Sequence, residues 1–200
     1  MMNPTDIYVS MIDNVTDELE SFGVEMELYL DVSGSDSSDY PLYAEPRALK
    51  KAVKHLATAG ELLLKYRLQL EHWAFIFHDI NAASKEKIDS GDFESVYYKD
   101  TVKRLRNLCG IEVGFFYFPK LRNLRNSAEH FELRTTLLEI IQIIIGAIDE
   151  LLNFIDCYIT IDEEECEEIN WVSSINRVQE IQKTLKELSV RHQNQTFTPN

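Results

Sequence analysis

Cysteine is scarce in this chain, with only Cys109, Cys157 and Cys166 among 200 residues. No two of them form a CxxC pair, and their odd number argues against a disulfide framework. The N-terminus, Met1 to Asp6, also lacks the basic stretch and apolar run of a secretory signal. We therefore expect reduced thiols and a cytoplasmic location.

Long uninterrupted apolar runs are missing as well. The most apolar stretch runs from Leu137 to Ile155, and it is interrupted by Glu139, Gln142, Asp149 and Glu150. A bilayer span needs about 20 predominantly apolar residues. The stretch therefore predicts a buried helix, and we expect no membrane partner.

Basic residues are fewer than acidic ones. The sequence has 20 Lys and Arg against 34 Asp and Glu, which gives a net charge of -14. Residues 1–46 contain eleven acids and no base. The segment from Lys99 to Arg134 is the exception, because it holds eight bases and four acids. Its local charge of +4 could attract a nucleic acid, although the same residues could equally form a solvated helix face.

Strand patterns are nearly absent. Val24 to Val32 alternates apolar and polar residues, but no second run could pair with it, so we assign it to a helix. Apolar residues three and four apart predict helices elsewhere. The predicted helices cover Asp6 to Leu30, Arg47 to Phe77, Tyr98 to Leu108 before Gly110, a segment from Pro119, Leu137 to Ile155, and Glu164 to Val190. This pattern favours an all-α bundle.

Turn-forming residues divide the chain. Ser33 to Asp39 is polar and Pro41 and Pro46 follow it, which marks a boundary. We predict an acidic N-terminal extension of helix and flexible loop (1–46), a helical core (47–160), and a C-terminal helix whose tail frays from Arg191 (161–200).

The helix after Leu137 carries more apolar surface than a peripheral helix requires. A second apolar row flanks its main stripe and consists of Leu138, Ile145, Leu152 and Ile159. Such a helix is central or faces another subunit. We therefore expect a homodimer.

One cluster pairs a permanent cation, Arg125, with a titratable base, His130. In an ideal helix, residues five apart are separated by about 140° around the axis and roughly 7.5 Å along it. Arg122, Asn126 and His130 form the aligned row instead. A site using both Arg125 and His130 thus needs a helix end, a local distortion or a second subunit.

Spacing alone leaves two interpretations of this cluster open. In the first, Arg125 forms a surface ion pair with Glu129, and His130 is a half-buried polar residue. In the second, the cluster cleaves RNA without metal: imidazole takes the ribose 2′-hydroxyl proton, and guanidinium stabilises charge on the phosphorane. The acidic runs carry no His or Cys at ligand spacing, and P-loop and GxSxG motifs are absent, so we expect no metal or cofactor.

The segment from Arg125 to His130 resembles the Arg, polar residue, x3, His motif of HEPN-domain proteins, which are small all-α antiparallel bundles with many RNase members. As in that family, the motif precedes a long apolar helix. Four further phrases resemble a bacterial, defence-associated HEPN-like subgroup: Glu61-Leu62-Leu63-Leu64-Lys65, Glu71-His72-Trp73, Gly91-Asp92-Phe93 and Cys109-Gly110-Ile111. The resemblance covers about Leu49 to Ile155.

The resemblance implies an endoribonuclease of a bacterial defence or toxin-antitoxin system. In such proteins the motif lines a cleft between two protomers, which would make Arg125 and His130 catalytic. It further implies that Asn126 orients the ribose or phosphate, and that Arg122 and Lys120 contact phosphate. The implied partners are RNA, with tRNA as one candidate, a second copy of the chain, and a cognate antitoxin or regulatory protein.

The sequence departs from the family pattern at one position. Toxin-type members often carry a tyrosine two residues after the histidine, whereas this chain has Glu132. An acid there would repel phosphate. The second hypothesis is therefore a non-catalytic HEPN-like dimerisation or adaptor module that binds a partner protein, and the acidic majority of the chain also favours it.

Overall fold

The structure is a computed structural model that describes the backbone of residues 10–34, 44–130, 135–161 and 170–196, and side chains within 10–33, 46–128, 135–161 and 170–191. The described residues form seven α-helices: α1 (Met11–Gly34), α2 (Ala44–Glu71), α3 (Lys85–Ser90), α4 (Tyr98–Cys109), α5 (Phe118–His130), α6 (Leu137–Tyr158) and α7 (Trp171–Thr196). Their only β-type pairing is an isolated antiparallel bridge between Phe77 and Ser95. The all-α prediction is confirmed.

The helices belong to two compact units. One unit consists of Met1–Val15 with Gly60–Gly114, and the other of Thr16–Ala59 with Phe115–Asn200. Helix α2 is continuous through the boundary between Ala59 and Gly60. The second unit holds α5, α6 and α7.

Helix α1 includes the segment whose alternation resembled a strand. The helical interpretation of Val24 to Val32 is confirmed, because its backbone is helical throughout. The apolar residues that predicted the helix are all buried, namely Ile12, Val15, Leu19, Phe22, Met26 and Tyr29. Burial of a continuous stripe stabilises the helix more than local alternation can favour a strand with no partner.

Helix α2 ends at Glu71, so its predicted extension to Phe77 is wrong. His72 adopts an extended conformation, and its Nδ1 accepts a hydrogen bond from the Ala74 backbone N–H at 3.2 Å. This cap begins a short 3-10 helix, Trp73–Ile76. The Arg104 guanidinium then donates to the carbonyls of Phe75 and His78 at 2.7 Å, and also to that of Phe77. A distant arginine thus holds the chain in a path that local pattern does not predict.

Helix α6 is central to the second unit. Side chains on two sides of it are buried, among them Ile140, Ile141, Ile143, Ile144, Ile148, Leu151 and Phe154. It packs against both α5 and α7. The second apolar row is half-buried at Leu138, Ile145, Leu152 and Ile159. Helix α7 extends to Thr196, and the fraying expected from Arg191 stays a prediction.

Two predictions fall partly outside the described residues. These are the start of the last helix at Glu164 and most of the polar segment after Ser33, although Ser33 and Gly34 themselves are helical. Among the described helices, none is both long enough and apolar enough to cross a membrane.

Candidate functional site

Helix α5, which carries the Arg and His motif, is fixed at its beginning by a carboxylate from α6. Glu150 Oε1 accepts hydrogen bonds from the backbone N–H groups of Phe116 and Tyr117 at 2.6 and 2.8 Å, and Oε2 accepts from Phe118 at 2.8 Å. The first N–H groups of a helix have no partner within the helix. Glu150 satisfies that of Phe118 together with the two N–H groups just before the helix, and it places its negative charge at the positive end of the helix dipole.

Close packing supports the same junction. Gly146 of α6 lies against the ring of Tyr117, so that a Cβ at this position would be 2.7 Å from Cε2 and would overlap Cγ and Cδ2. Leu121 and Ala128 of α5 are buried in the same unit. Tyr117 and Glu150 therefore fix where α5 begins on α6, and the helix carries its polar residues from that point.

The structure brings together two of the predicted site residues, Arg125 and Asn126. Arg125 Nε donates a hydrogen bond to Asn126 Oδ1 at 3.1 Å. Arg125 is half-buried and Asn126 is exposed. Asn126 belongs to the row that also includes Arg122, so this bond links the Arg125 side chain to a member of that row.

The two predicted phosphate contacts lie in different surroundings. Arg122 is half-buried. Lys120 is exposed, and its Nζ lies over the rings of Phe116 and Tyr117, at 3.8 and 5.3 Å from their centroids. The structure thus places Lys120 at the start of α5, beside two aromatic rings rather than beside Arg125.

His130 is the last described residue of α5, and residues 131–134 lie outside the described part of the chain. The side chains of His130 and Glu129, and the whole of Glu132, lie outside the described residues. Their part in a site stays a prediction.

The structure also shows a charged groove to which no sequence motif pointed. His55 Nδ1 lies 2.7 Å from Glu18 Oε2, between α2 and α1. The groove has a volume of about 480 Å³ and is lined by Asp17, Glu20, Ser21, Val24, Glu25, His55 and Arg177. Five of these residues lie within nine positions of α1, whereas His55 and Arg177 come from α2 and α7, so the groove forms only when the three helices pack together. Its carboxylates make it a poor site for phosphate and a better one for a basic group.

Comparison with known proteins assigns this chain to no family. No protein-family model matches the chain, and no curated protein or solved structure matches it either. The resemblance of Arg125 to His130 and the surrounding phrases to HEPN-domain proteins therefore contributes to a proposal, and the all-α architecture is what the structure itself establishes.

Proposed function

We propose that this chain is a metal-independent endoribonuclease of a bacterial defence or toxin-antitoxin system, and that Arg125 and His130 perform the reaction at a cleft between two copies of the chain. The observation that carries the proposal is the Arg125 to Asn126 hydrogen bond, one helical turn before His130. It supports a motif in which the Arg125 side chain contacts a member of the row formed by Arg122, Asn126 and His130.

The chemistry requires a base and an anion-stabilising group. Neutral imidazole at His130 takes the proton of the ribose 2′-hydroxyl, whose oxygen then attacks the adjacent phosphorus. The bond from phosphorus to the 5′-oxygen breaks, which leaves a 2′,3′-cyclic phosphate, and the imidazolium gives the proton to the departing 5′-oxygen. The planar guanidinium of Arg125 donates to the phosphorane oxygens as their negative charge develops. Asn126 orients the guanidinium through its side-chain oxygen, and Arg122 and Lys120 attract the phosphate backbone.

The local charge of α5 suits this ligand. The helix contains Lys120, Arg122 and Arg125 and a single acid, Glu129, and its first turn contains no acid. A net negative chain can still present one positive segment to RNA, because charges separated by more than about 10 Å at 0.1 M salt are largely screened. The acidic remainder would discourage non-specific coating by nucleic acid.

The test is cleavage of total RNA and tRNA in EDTA by the wild-type chain and by Arg125→Ala and His130→Ala. We expect cleavage by the wild type and a loss of at least about 100-fold in both variants, since general base catalysis and oxyanion stabilisation each contribute this much. Equal cleavage by all three proteins would overturn the proposal.

A non-catalytic HEPN-like adaptor is the second candidate, and the acidic groove favours it. Asp17, Glu20 and Glu25 line that groove, and a basic segment of a partner protein would complement them. The genes adjacent to the gene for this protein distinguish the two candidate functions. A nucleotidyltransferase-like antitoxin gene favours the endoribonuclease, whereas a large ATPase or effector gene favours the adaptor.

A further inference from the structure

Phe116 is the most exposed large apolar side chain among the described residues, at 62%. Single exposed apolar side chains are common on protein surfaces, so exposure alone carries no argument. The surroundings of this ring are more specific. Tyr117 meets it edge-on, with ring centroids 5.0 Å apart and planes at 89°, and Lys120 Nζ lies 3.8 Å from its centroid.

The backbone beneath the ring is fixed. The Phe116 N–H donates to Glu150 Oε1 at 2.6 Å, as part of the carboxylate cap at the start of α5. Tyr117, the next residue, packs against Gly146 with no room for a Cβ. An exposed ring on an ordered backbone loses little conformational freedom when a ligand binds, which favours affinity.

The charges around the ring suit a phosphate. Lys120 is exposed, and the first turn of α5 contains no acid. Glu150 is the carboxylate nearest to the Phe116 backbone, but both of its oxygens accept hydrogen bonds from main-chain N–H groups. Its charge is therefore partly offset by the helix dipole, and Lys120 contributes a positive charge at the surface.

We propose that Phe116 and Lys120 form a nucleotide subsite for single-stranded RNA, in which a base stacks on the Phe116 ring and the adjoining phosphate pairs with the Lys120 ammonium. This inference rests on the proposed function, because it takes RNA as the ligand. Lys120 Nζ lies over one face of the Phe116 ring, 3.8 Å from its centroid, so the base stacks on the opposite face and the flexible lysine reaches past the ring edge to the phosphate. Stacking on a phenyl ring tolerates any base, so the subsite adds affinity without strong base preference.

The test measures binding separately from cleavage. A fluorescent single-stranded RNA about 12 nucleotides long is titrated with the full chain carrying His130→Ala, and the Kd is read from anisotropy. Phe116→Ala is added to this background, with Phe116→Trp as the variant that keeps an aromatic face and Phe116→Leu as the one that keeps only apolar bulk. We expect the Kd to rise about 5- to 100-fold for Phe116→Ala and Phe116→Leu, and to stay near the parent value for Phe116→Trp.

Two further titrations assign the base and the phosphate to their residues. With an abasic oligonucleotide of the same length, Phe116→Ala should weaken binding no further, because the stacking partner is already missing. Lys120→Ala should lower the slope of log Kd against log salt by about 0.7, the value for one phosphate contact on a single strand. Phe116→Leu binding as well as Phe116→Trp, or an equal effect of Phe116→Ala on abasic RNA, would overturn the stacking assignment.

The outcomes separate this inference from the proposed function. Cleavage that depends on Arg125 and His130 but not on Phe116 overturns the subsite alone. Binding that depends on Phe116, without cleavage by the wild type, overturns the endoribonuclease alone. A third outcome is that RNA does not bind and that Phe116→Ala converts an oligomer of the chain to monomers in sedimentation equilibrium. The ring then belongs to a protein interface, and the subsite is overturned.

Discussion

Arg125 donates a hydrogen bond from Nε to the side-chain oxygen of Asn126, its neighbour in the chain, at 3.1 Å. The bond gives a long and otherwise adaptable side chain a preferred direction. A planar guanidinium held at Nε keeps the orientation of its fork, which is what recognition of a phosphorane by two donors requires. Under the proposed function, Asn126 would act as a positioning residue for Arg125.

Substitution of Asn126 tests that role. Asn126→Ala removes the acceptor, and we expect the rate of RNA cleavage to fall by about 10- to 100-fold because the guanidinium is misplaced. Asn126→Asp keeps an oxygen acceptor for Arg125 and should retain more activity than Asn126→Ala. Initial rates are compared with those of Asn123→Ala, an exposed asparagine on the same helix. A wild-type rate for Asn126→Ala would show that the contact does not position the arginine.

Gly146→Ala tests the packing of α5 on α6. The added methyl overlaps the Tyr117 ring, and we expect the free energy of unfolding to fall by about 1–3 kcal/mol through overpacking. This occurs even though alanine is intrinsically the better helix former. Gly114→Ala is the matched control, because a Cβ there meets nothing within 4 Å. Urea denaturation of the two variants measures the difference, and equal stabilities would contradict the packing.

Glu150→Gln tests the carboxylate cap at the start of α5. The carboxylate accepts three backbone hydrogen bonds, whereas the neutral amide has one oxygen and no charge to place at the helix dipole. We expect a loss of about 1–3 kcal/mol in the free energy of unfolding. Asp156→Asn, at an exposed position of α6, should change stability by less than about 0.5 kcal/mol. If Glu150→Gln changed the free energy of unfolding as little as Asp156→Asn, the stabilising role of the Glu150 cap would be contradicted.

The ion pair between Glu27 and Arg177 predicts how stability responds to acid. Arg177 hydrogen-bonds the carboxylate at 2.6 and 2.7 Å, and this lowers the pKa of Glu27 below its usual value. A lowered pKa in the folded chain stabilises it above the unfolded pKa, and that contribution is lost as pH falls through the folded value. Wild type should therefore be more stable than Glu27→Gln at pH 7, by under about 1 kcal/mol because the pair is partly exposed.

The contribution of this ion pair to the free energy of unfolding is measured at two pH values. Chemical denaturation of wild type, Glu27→Gln and Glu180→Gln is carried out at pH 7 and again well below the usual pKa of a glutamate. The advantage of wild type over Glu27→Gln should shrink in acid, and Glu180→Gln, at an exposed position of α7, should behave like wild type at both values. An advantage that grows in acid would contradict the lowered pKa.

Much of the fold follows from local pattern. The stripe from Ile12 to Tyr29 predicted α1, and Gly110 predicted the end of α4, where its φ is 69° and it caps the helix. Both signals depend on residues within one or two turns. The end of α2 was missed because it depends on His72 and on three carbonyls bound by Arg104, about 27 residues later.

Some features of the candidate site could likewise be recognised in the sequence, and others could not. The spacing of Arg125, Asn126 and His130 could be recognised in the sequence, because it lies within one helix. The Glu150 cap and the pairing of His55 with Glu18 could not, because each joins residues more than 30 positions apart. Polar residues that meet across such distances leave no periodic signal in the chain, so they appear only once the helices are packed.

The initial rate of RNA cleavage in EDTA tests most directly whether Arg125 and His130 perform the proposed reaction. Purified wild type, Arg125→Ala, His130→Ala and the control Asn123→Ala are incubated with the same tRNA, and each is first shown to be folded by circular dichroism. The account predicts cleavage by wild type and Asn123→Ala, and at least about 100-fold less by the other two. Undetectable cleavage by wild type, or equal rates for all four proteins, would contradict it.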